Sequence, residues 1–359
     1  MAYYHSKYRT SKKKSRFHRI IISFLIIVIL ITLSAGYFLY TIISKPNVWI
    51  KEGESVSVFI PTGATFDEVK NILYEDGLII HRNNFEWWAK KKKYHQNIKP
   101  GKYLILTGMS NNVLVNHLRS GQQQPVNLIF NNMRNIEQLS QRVAEQIELD
   151  STAIMSLLSD STYIAELGFD KHSISSLFIP NTYEIFWNVS AENFIKRMLR
   201  EYNNFWNNDR EAKAAALKLS KIEVVTLASI LDKETHKNEE KPIIAGVYLN
   251  RLKRNWLLQA DPTLIFALGD FSIKRVLNVH KEIDSPYNTY KYQGLPPGPI
   301  CIPSISSIDA VLNYTEHDYL YLCAKDDLSG YHVFARNIRE HNRNAEKYRR
   351  ALDKLRIWK

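Results

Sequence analysis

One acidic residue, Glu234, follows a set of apolar residues at helical spacing. Leu227, Ile230 and Leu231 precede it by seven, four and three residues. A helix that begins near residue 222 would therefore carry Glu234 on the face that it buries. Burial against apolar surface disfavours the charged form of a carboxyl group and raises its pKa. A carboxyl group in that state can serve as a general acid near neutral pH.

The neighbours of Glu234 leave a second interpretation open. The same helical spacing turns Asp232 and Lys233 away from the predicted apolar face. Glu234 could instead be a solvated residue at a helix end that forms an ion pair with Lys233 or Lys237. The burial of Glu234 and the identity of its partners distinguish the two interpretations.

Several short segments match, in order, those of a known family. Residues 227–235 (LASILDKET) resemble the "ASI-x-x-KET" segment of the endolytic murein transglycosylases, the MltG or YceG-like family. Residues 178–183 (FIPNTY) resemble the family's "LFPDTY", with Asn181 in place of Asp. The other matches are 250–252 (NRL), 258–263 (LQADPT), 285–290 (SPYNTY), 294–300 (GLPPGPI), 332–334 (HVF) and 340–342 (EHN). The resemblance covers the chain from about residue 45, and the number of ordered matches makes it specific.

The resemblance implies a lytic transglycosylase, which cleaves the bond between N-acetylmuramic acid (MurNAc) and N-acetylglucosamine (GlcNAc) without adding water. The muramyl 6-hydroxyl attacks its own anomeric carbon and leaves a 1,6-anhydro end. One carboxyl group can protonate the leaving oxygen and then accept the hydroxyl proton, so no second carboxylate is needed as a nucleophile, unlike in most glycosidases. Glu234 is the matched acid and the predicted catalytic residue, and Asp232 is not counted as its partner.

The predicted substrate-binding residues are Gln259, Asp261, Tyr287, Asn288, Thr289 and Tyr290. Gln259 could bind a sugar amide or hydroxyl. Asp261 followed by Pro262 is typical of a helix start, and a capping role would explain Asp261 without catalysis. The run 287–290 (YNTY) offers ring faces for stacking and polar tips for hydroxyl and acetamido groups. The alternative for this run is a turn with one buried tyrosine.

The distribution of charge along the chain argues against a nucleic-acid partner. A net charge of +12 could by itself indicate nucleic-acid binding. Residues 1–19, however, hold seven basic residues and no acid, and the sequence has neither zinc-finger spacing nor an aromatic ribonucleoprotein motif. We therefore predict no nucleic-acid partner, and the absence of a zinc-type spacing or a glycine-rich phosphate loop predicts no metal and no cofactor. Cys301 and Cys323 are predicted to be free thiols, and a disulfide between them in an exported domain is the alternative.

A membrane-spanning helix is predicted at residues 20–43. These twenty-four residues carry no charge, and at ~1.5 Å per residue they can cross an apolar layer of ~30 Å. The basic residues 1–19 precede the helix, so the tail is predicted to be cytoplasmic and residues 45–359 extracytoplasmic. A cleaved signal peptide is the alternative, but its apolar core would be only ~7–15 residues. We predict an uncleaved, single-pass protein of the bacterial inner (cytoplasmic) membrane.

The remaining chain predicts an α+β fold in two parts. Residues 45–121 show a strand, two helices, a strand and a final helix, and this order resembles the family's LysM-like domain, which implies glycan binding. The alternative is a spacer between the membrane and the catalytic part. Residues 122–359 are predicted to form a mixed α+β, YceG-like catalytic domain. Its predicted elements are a strand at 126–130, helices within 136–167, 191–202 and 213–233 and from 242, strands at 319–324 and 331–335, and a helix at 337–355.

The sequence leaves three functions to distinguish. The first is an anchored enzyme that cuts nascent peptidoglycan strands internally and so terminates glycan elongation, with cell-wall synthesis enzymes as further candidate partners. The second is a non-catalytic, membrane-anchored peptidoglycan-binding scaffold, which would not require an acid on an apolar face. The third is a serine hydrolase that uses Ser229, but the flanking Ala228 and Ile230 lack the glycines of a nucleophile elbow.

Overall fold

The computed structural model describes residues 11–273 and 275–354, with side chains from residue 16 onward. The chain divides into two compact units, Met1–Pro125 and Val126–Lys359. The helices described are α1 (Ser11–Ile43), α2 (Phe66–Glu75), α3 (Arg82–Lys91), α4 (Asn111–Ser120), α5 (Ile136–Ala144), α6 (Ser151–Ser159), α7 (Ser161–Glu166), α8 (Ala191–Phe205), α9 (Asn208–Leu217), α10 (Lys221–Glu234), α11 (Lys241–Lys253), α12 (Asp261–Leu268), α13 (Ile305–Leu312) and α14 (Ile338–Lys354). The strands are β1 (Ser55–Ile60), β2 (Gly101–Leu106), β3 (Pro125–Phe130), β4 (Asn181–Phe186), β5 (Tyr321–Ala324) and β6 (His332–Ala335).

Helix α1 is longer than the predicted span. It begins at Ser11, so it includes basic residues that were assigned to the tail, while residues 1–10 of that tail lie outside the described residues. The stretch Arg16–Ile43 is long and apolar enough to cross a membrane. Its large apolar side chains, among them Phe24 and Leu33, are exposed. Such an apolar exterior is compatible with a single-pass anchor.

The first unit has the predicted order of strand, two helices, strand and helix. Strands β1 and β2 pair in antiparallel register, with Ser55 opposite Leu106. Thr65 and Glu68 form a capping box that fixes the start of α2. Trp87 and Trp88 on α3 stack with a centroid distance of 6.1 Å, and Trp87 is 39% exposed. The α+β class is therefore confirmed for this unit, whereas the LysM-like assignment stays a prediction.

The second unit is built around α10, which contacts α13, α11 and α12. Every residue of α10 from Val224 to Asp232 is buried. The prediction of a single helix at 213–233 is wrong, because the helix is interrupted between α9 and α10. Lys218 adopts a left-handed conformation there, and Ser220 and Glu223 form a capping box that starts α10.

Two elements of the second unit were absent from the prediction. Strand β4 pairs with β3, and helix α13 packs against α10 and α11. The predicted strand pair near the end of the chain is confirmed as β5 and β6, which are antiparallel with Tyr321 opposite Ala335. The fold of this unit is thus mixed α+β, with small two-stranded sheets at the edges of a helical core.

Candidate active site

A cavity of about 400 Å³ lies where α10, α11, α12 and the β5–β6 pair meet. Glu234, the last residue of α10, is one of its lining residues. The full lining is Glu234, Tyr248, Arg251, Gln259, Asp261, Tyr290, Tyr321, Leu322, Cys323, Ala324, His332, Ile338 and His341. We call this the active-site cavity.

Glu234 is half-buried, and its partner is a hydroxyl group. Tyr248 Oη donates a hydrogen bond of 2.7 Å to Glu234 Oε1. Burial raises the pKa of the Glu234 carboxyl, and the charge of Asp261 adds to the increase, while the Tyr248 hydrogen bond opposes it. In the part of the chain that the structure describes, neither Lys233 nor Lys237 forms an ion pair with Glu234. The Lys237 ammonium lies over the Tyr331 ring instead, so the ion-pair interpretation is wrong.

Asp232 is itself buried, although the sequence analysis turned it away from the buried face of α10. It is 4% exposed and accepts hydrogen bonds from Ser304 Oγ at 2.7 Å, Ser307 Oγ at 2.6 Å and Asn132 Nδ2 at 2.8 Å. Lys241 Nζ lies 3.4 Å away. Burial alone would raise the pKa of Asp232, but these hydrogen bonds and the Lys241 charge lower it to about 2. The difference arises because α13 and α11 pack against α10, so the face that carries Asp232 is buried as well.

Asp261 begins α12 but does not cap it, so the capping explanation is wrong. Ala260 holds the cap position, and no side-chain cap bond forms. The Asp261 carboxylate instead accepts a hydrogen bond of 2.5 Å from Tyr290 Oη. Thr289 orders this helix start: its hydroxyl accepts a bond from the Ala260 N–H, and its carbonyl accepts one from the Gln259 N–H. The Asp261 carboxylate faces the cavity together with Gln259 and Tyr290.

The predicted run 287–290 divides into one cavity residue and three others. Tyr290 lines the active-site cavity, whereas Tyr287, Asn288 and Thr289 are absent from the lining described for it. Asn288 is fully buried and donates to backbone carbonyls of residues 281 and 283. The hydroxyl of Tyr287 lies 3.3 Å from His172 Nδ1. These contacts shape the loop that presents Tyr290.

Arg251 is a cavity residue that the sequence analysis did not propose. It is 8% exposed, and its Nε donates a hydrogen bond of 2.7 Å to the Leu320 carbonyl. Its Nη1 donates to the Leu258 carbonyl. Two backbone acceptors therefore fix the guanidinium beside the cavity, where its positive charge lowers the pKa of Glu234.

His332 is a second such residue, and a buried acid holds it. Glu240 is 5% exposed and accepts hydrogen bonds from the His332 backbone N–H at 2.7 Å and from its Nδ1 at 3.1 Å. Because the carboxylate engages Nδ1, Nε2 is the ring nitrogen that can meet a ligand in the cavity. Arg251, His332 and His341 all lie in segments that match the family, and this resemblance was the only sequence signal for them.

The other potentially reactive side chains, a serine and two cysteines, are not arranged for catalysis. Ser229 is fully buried, donates to the Thr226 carbonyl and accepts from the Ile300 N–H, so it is not placed as a nucleophile. Cys301 and Cys323 are free thiols, and burial raises the pKa of both. Among residues 16–273 and 275–354, no group of three or more His, Cys, Asp or Glu side chains could hold a metal ion.

The fold and this cavity define a YceG-like protein, and comparison with known proteins agrees. The profile of the YceG-like family matches residues 58–347, so the chain belongs to that family. It is similar to the endolytic murein transglycosylase of Bacillus subtilis (strain 168), with 30% identity over 87% of this chain and 90% of that protein. It is also 30% identical to the endolytic murein transglycosylase of Streptococcus pneumoniae serotype 2, over 91% of this chain and 65% of that protein.

A solved structure is similar over most of both chains. It is a crystal structure of a yceG-like protein from Listeria monocytogenes, with 27% identity and a TM-score of 0.54. The match covers 81% of this chain and 98% of that one. The mixed α+β architecture is therefore shared with this protein.

Proposed function

We propose that this protein is a membrane-anchored, endolytic peptidoglycan lytic transglycosylase. It would cleave MurNAc–GlcNAc bonds within nascent glycan strands, leave 1,6-anhydroMurNAc ends and so terminate elongation. The observation that carries the proposal is the position of Glu234. This residue lines a cavity of about 400 Å³, and burial raises the pKa of its carboxyl group. A carboxyl group that faces a polar cavity and whose surroundings favour its protonated form is suited to general acid catalysis. The names of the relatives, endolytic murein transglycosylase, support the same reaction.

The proposed reaction uses Glu234 twice. Its carboxyl group donates a proton to the glycosidic oxygen as the bond between that oxygen and the muramyl C1 breaks. The muramyl 6-oxygen then bonds to C1, and the Glu234 carboxylate takes the hydroxyl proton, which restores the acid. Tyr248 orients the carboxylate through its 2.7 Å hydrogen bond. No water enters the product, and the proton count closes on one residue.

The remaining cavity groups would bind and position the sugars. Asp261 favours both the protonated form of Glu234 and the positive charge that develops on the sugar ring. Gln259 and Tyr290 line the same cavity and can donate to or accept from sugar hydroxyl and acetamido groups. Tyr287, Asn288 and Thr289 would contribute to binding through the loop and helix start that they hold in place.

The proposed location follows from α1. We propose that residues 20–43 span the inner membrane once, with the tail in the cytoplasm and residues 45–359 outside. Protease added to spheroplasts should degrade the extracytoplasmic part and spare the tail. A mature protein that begins near Gly36 or Tyr37 would show a cleaved signal peptide instead.

The first unit is proposed to bind glycan, as its LysM-like order of elements implies. Deletion of residues 45–121 with the anchor retained should weaken binding to peptidoglycan and slow cleavage, without changing the chemical form of the product. If the shortened protein binds and cuts as well as the full chain, this unit is a spacer.

The activity itself is tested with the full chain in detergent. Intact peptidoglycan is incubated with the protein, and the products are examined by mass spectrometry for anhydromuramyl ends. We expect internal cuts that yield such ends. Hydrolysed, reducing muramyl ends would contradict the lytic mechanism, and binding without any cleavage would favour the scaffold.

A further inference from the structure

A second cavity, of about 230 Å³, lies in the same unit. Its cationic side chains are Arg134 and Lys233, and its apolar ones include Pro262, Phe266 and Phe271. We call it the side cavity. Neither the proposed proton transfer nor the sugar-binding residues use any of these groups, so the side cavity needs an explanation of its own.

The side cavity and the active-site cavity share a wall. Lys233 lines the side cavity, and the next residue, Glu234, lines the active-site cavity. In the same way Asp261 lines the active-site cavity, and the next residue, Pro262, lines the side cavity. Consecutive Cα atoms are about 3.8 Å apart. The two cavities are therefore neighbours along the end of α10 and the start of α12.

The charges of the side cavity are not neutralised by the protein. Arg134 and Lys233 are exposed, and neither has an acidic partner in the ranges 16–273 and 275–354. The Arg134 guanidinium lies 4.3 Å from the centroid of the Phe271 ring. Stacking on an aromatic ring holds the guanidinium while its N–H groups stay available to a carboxylate. The side cavity thus suits a ligand that combines carboxylates with short aliphatic side chains.

We propose that the side cavity binds the acidic peptide stem of the muramic acid residue at which the glycan is cut. This rests on the proposed function, because the stem is attached through the lactyl group to the same sugar whose anomeric carbon reacts. The stem carries alanine methyl groups for Pro262, Phe266 and Phe271, and free carboxylates for Arg134 and Lys233. Its binding would fix which muramyl bond lies beside Glu234.

The first test compares two substrates with the full-length protein. Glycan strands with unamidated stems are compared with the same strands after an amidase has removed the stems. For the Arg134→Ala, Lys233→Ala double variant, we expect kcat/KM to fall about tenfold or more on the stem-bearing strands, since two charge-assisted bonds are lost. On stripped strands it should stay within about twofold of wild type. Arg200→Ala, which removes an exposed basic residue on α8, is the matched control and should not change the ratio.

The second test measures binding without cleavage. The probe is the soluble disaccharide GlcNAc–MurNAc with an unamidated tetrapeptide, titrated calorimetrically into the full-length protein. We expect binding that weakens when the stem carboxylates are amidated and in the double variant. Equal losses of kcat/KM on both substrates, no loss on either, or equal affinity for the amidated probe would overturn the proposal. If the wild-type protein cuts neither strand, the proposed function fails, while the titration still reports on the side cavity.

Discussion

Two regions that meet at the C-terminal end of α10 hold carboxylates two residues apart in opposite surroundings. Asp232 lies in a packed region in which serine hydroxyls, an amide and an ammonium group meet its two oxygens. Glu234 lies at the active-site cavity with one phenol as its hydrogen-bond partner. The pKa of Asp232 is lowered to about 2, and that of Glu234 is raised.

The difference shows why burial alone does not identify a catalytic acid. Desolvation opposes ionisation of both carboxylates. At Asp232 the hydrogen bonds and the Lys241 charge lower the pKa more than desolvation raises it. The carboxylate therefore stays charged and has a structural role. At Glu234 donors are few and the cavity leaves room for a substrate, so the proton can move.

The largest expected effect is the loss of activity when Glu234, the carboxyl group at the active-site cavity, is replaced. Glu234→Gln keeps the size of the side chain and an acceptor for Tyr248, but it cannot deliver a proton. General acid–base assistance is typically worth ~10²–10⁴-fold, and loss of both roles should reach the upper end. The release of anhydromuramyl ends, followed by mass spectrometry, should fall to that extent while glycan binding persists. Substantial activity in this variant, together with an inactive but folded Asp261→Asn, would show that the wrong carboxylate was chosen.

The next largest effect is the loss of stability when Asp232, the carboxylate in the packed region, is replaced. Asp232→Ala leaves Lys241 buried without its counter-charge and removes the acceptor for Ser304 and Ser307. Removal of one partner of a buried ion pair costs about 3–5 kcal/mol, so the free energy of unfolding should fall by that amount in urea titrations. Asp209→Ala, which removes an exposed ion pair with Lys213, is the control and should change stability by less than about 1 kcal/mol. Equal effects from both variants would mean that the network around Asp232 does not stabilise the fold.

A smaller change should come from the hydroxyl that links Glu234 to α11. Tyr248→Phe removes a hydrogen bond that stabilises the carboxylate form, so the pKa of Glu234 should rise further. A hydrogen bond to a charged group is worth about 1.5–3 kcal/mol, which corresponds to about one pH unit or more. The limb of the kcat/KM profile on which activity is lost with rising pH should move to higher pH. An unchanged limb would show that this hydrogen bond does not tune Glu234.

The sequence predicted the local elements better than their surroundings. The apolar spacing before Glu234 correctly placed this acid at a helix end, and the strand pair near the end of the chain was also predicted correctly. Helical spacing turned Asp232 away from the buried face of α10 but could not show that its own face is buried too, because a period of 3.6 residues says which side chains share a face and not what covers each face. The covering helix, α13, is a short apolar segment that periodicity did not identify.

The site residues were predictable only where the chemistry is local. Asp261 followed by proline has the pattern of a helix cap, yet Ala260 holds the cap position, and the Asp261 carboxylate accepts a hydrogen bond from Tyr290, twenty-nine residues away. The contact between His332 and Glu240 joins residues ninety-two positions apart. Such pairings depend on tertiary packing, so no spacing rule could reveal them, and only the family resemblance marked His332.

The smallest expected effect is a change in stability when Glu234 is replaced. Its sign is opposite to that of the stability change expected at Asp232. The folded pKa of Glu234 lies above its ordinary value of 4.5, so the folded state binds more protons than the unfolded state between those two pKa values. Wild-type stability should therefore fall as pH rises through this window, and Glu234→Gln should remove that loss. Calorimetry should give the variant a higher Tm than wild type at pH 7, with a difference that disappears below about pH 4.5. The contribution of Asp232 is present above pH 3.8 and is lost as pH falls toward 2. A variant no more stable than wild type at pH 7 would mean that the Glu234 pKa is not raised, and the contrast between the two carboxylates would not hold.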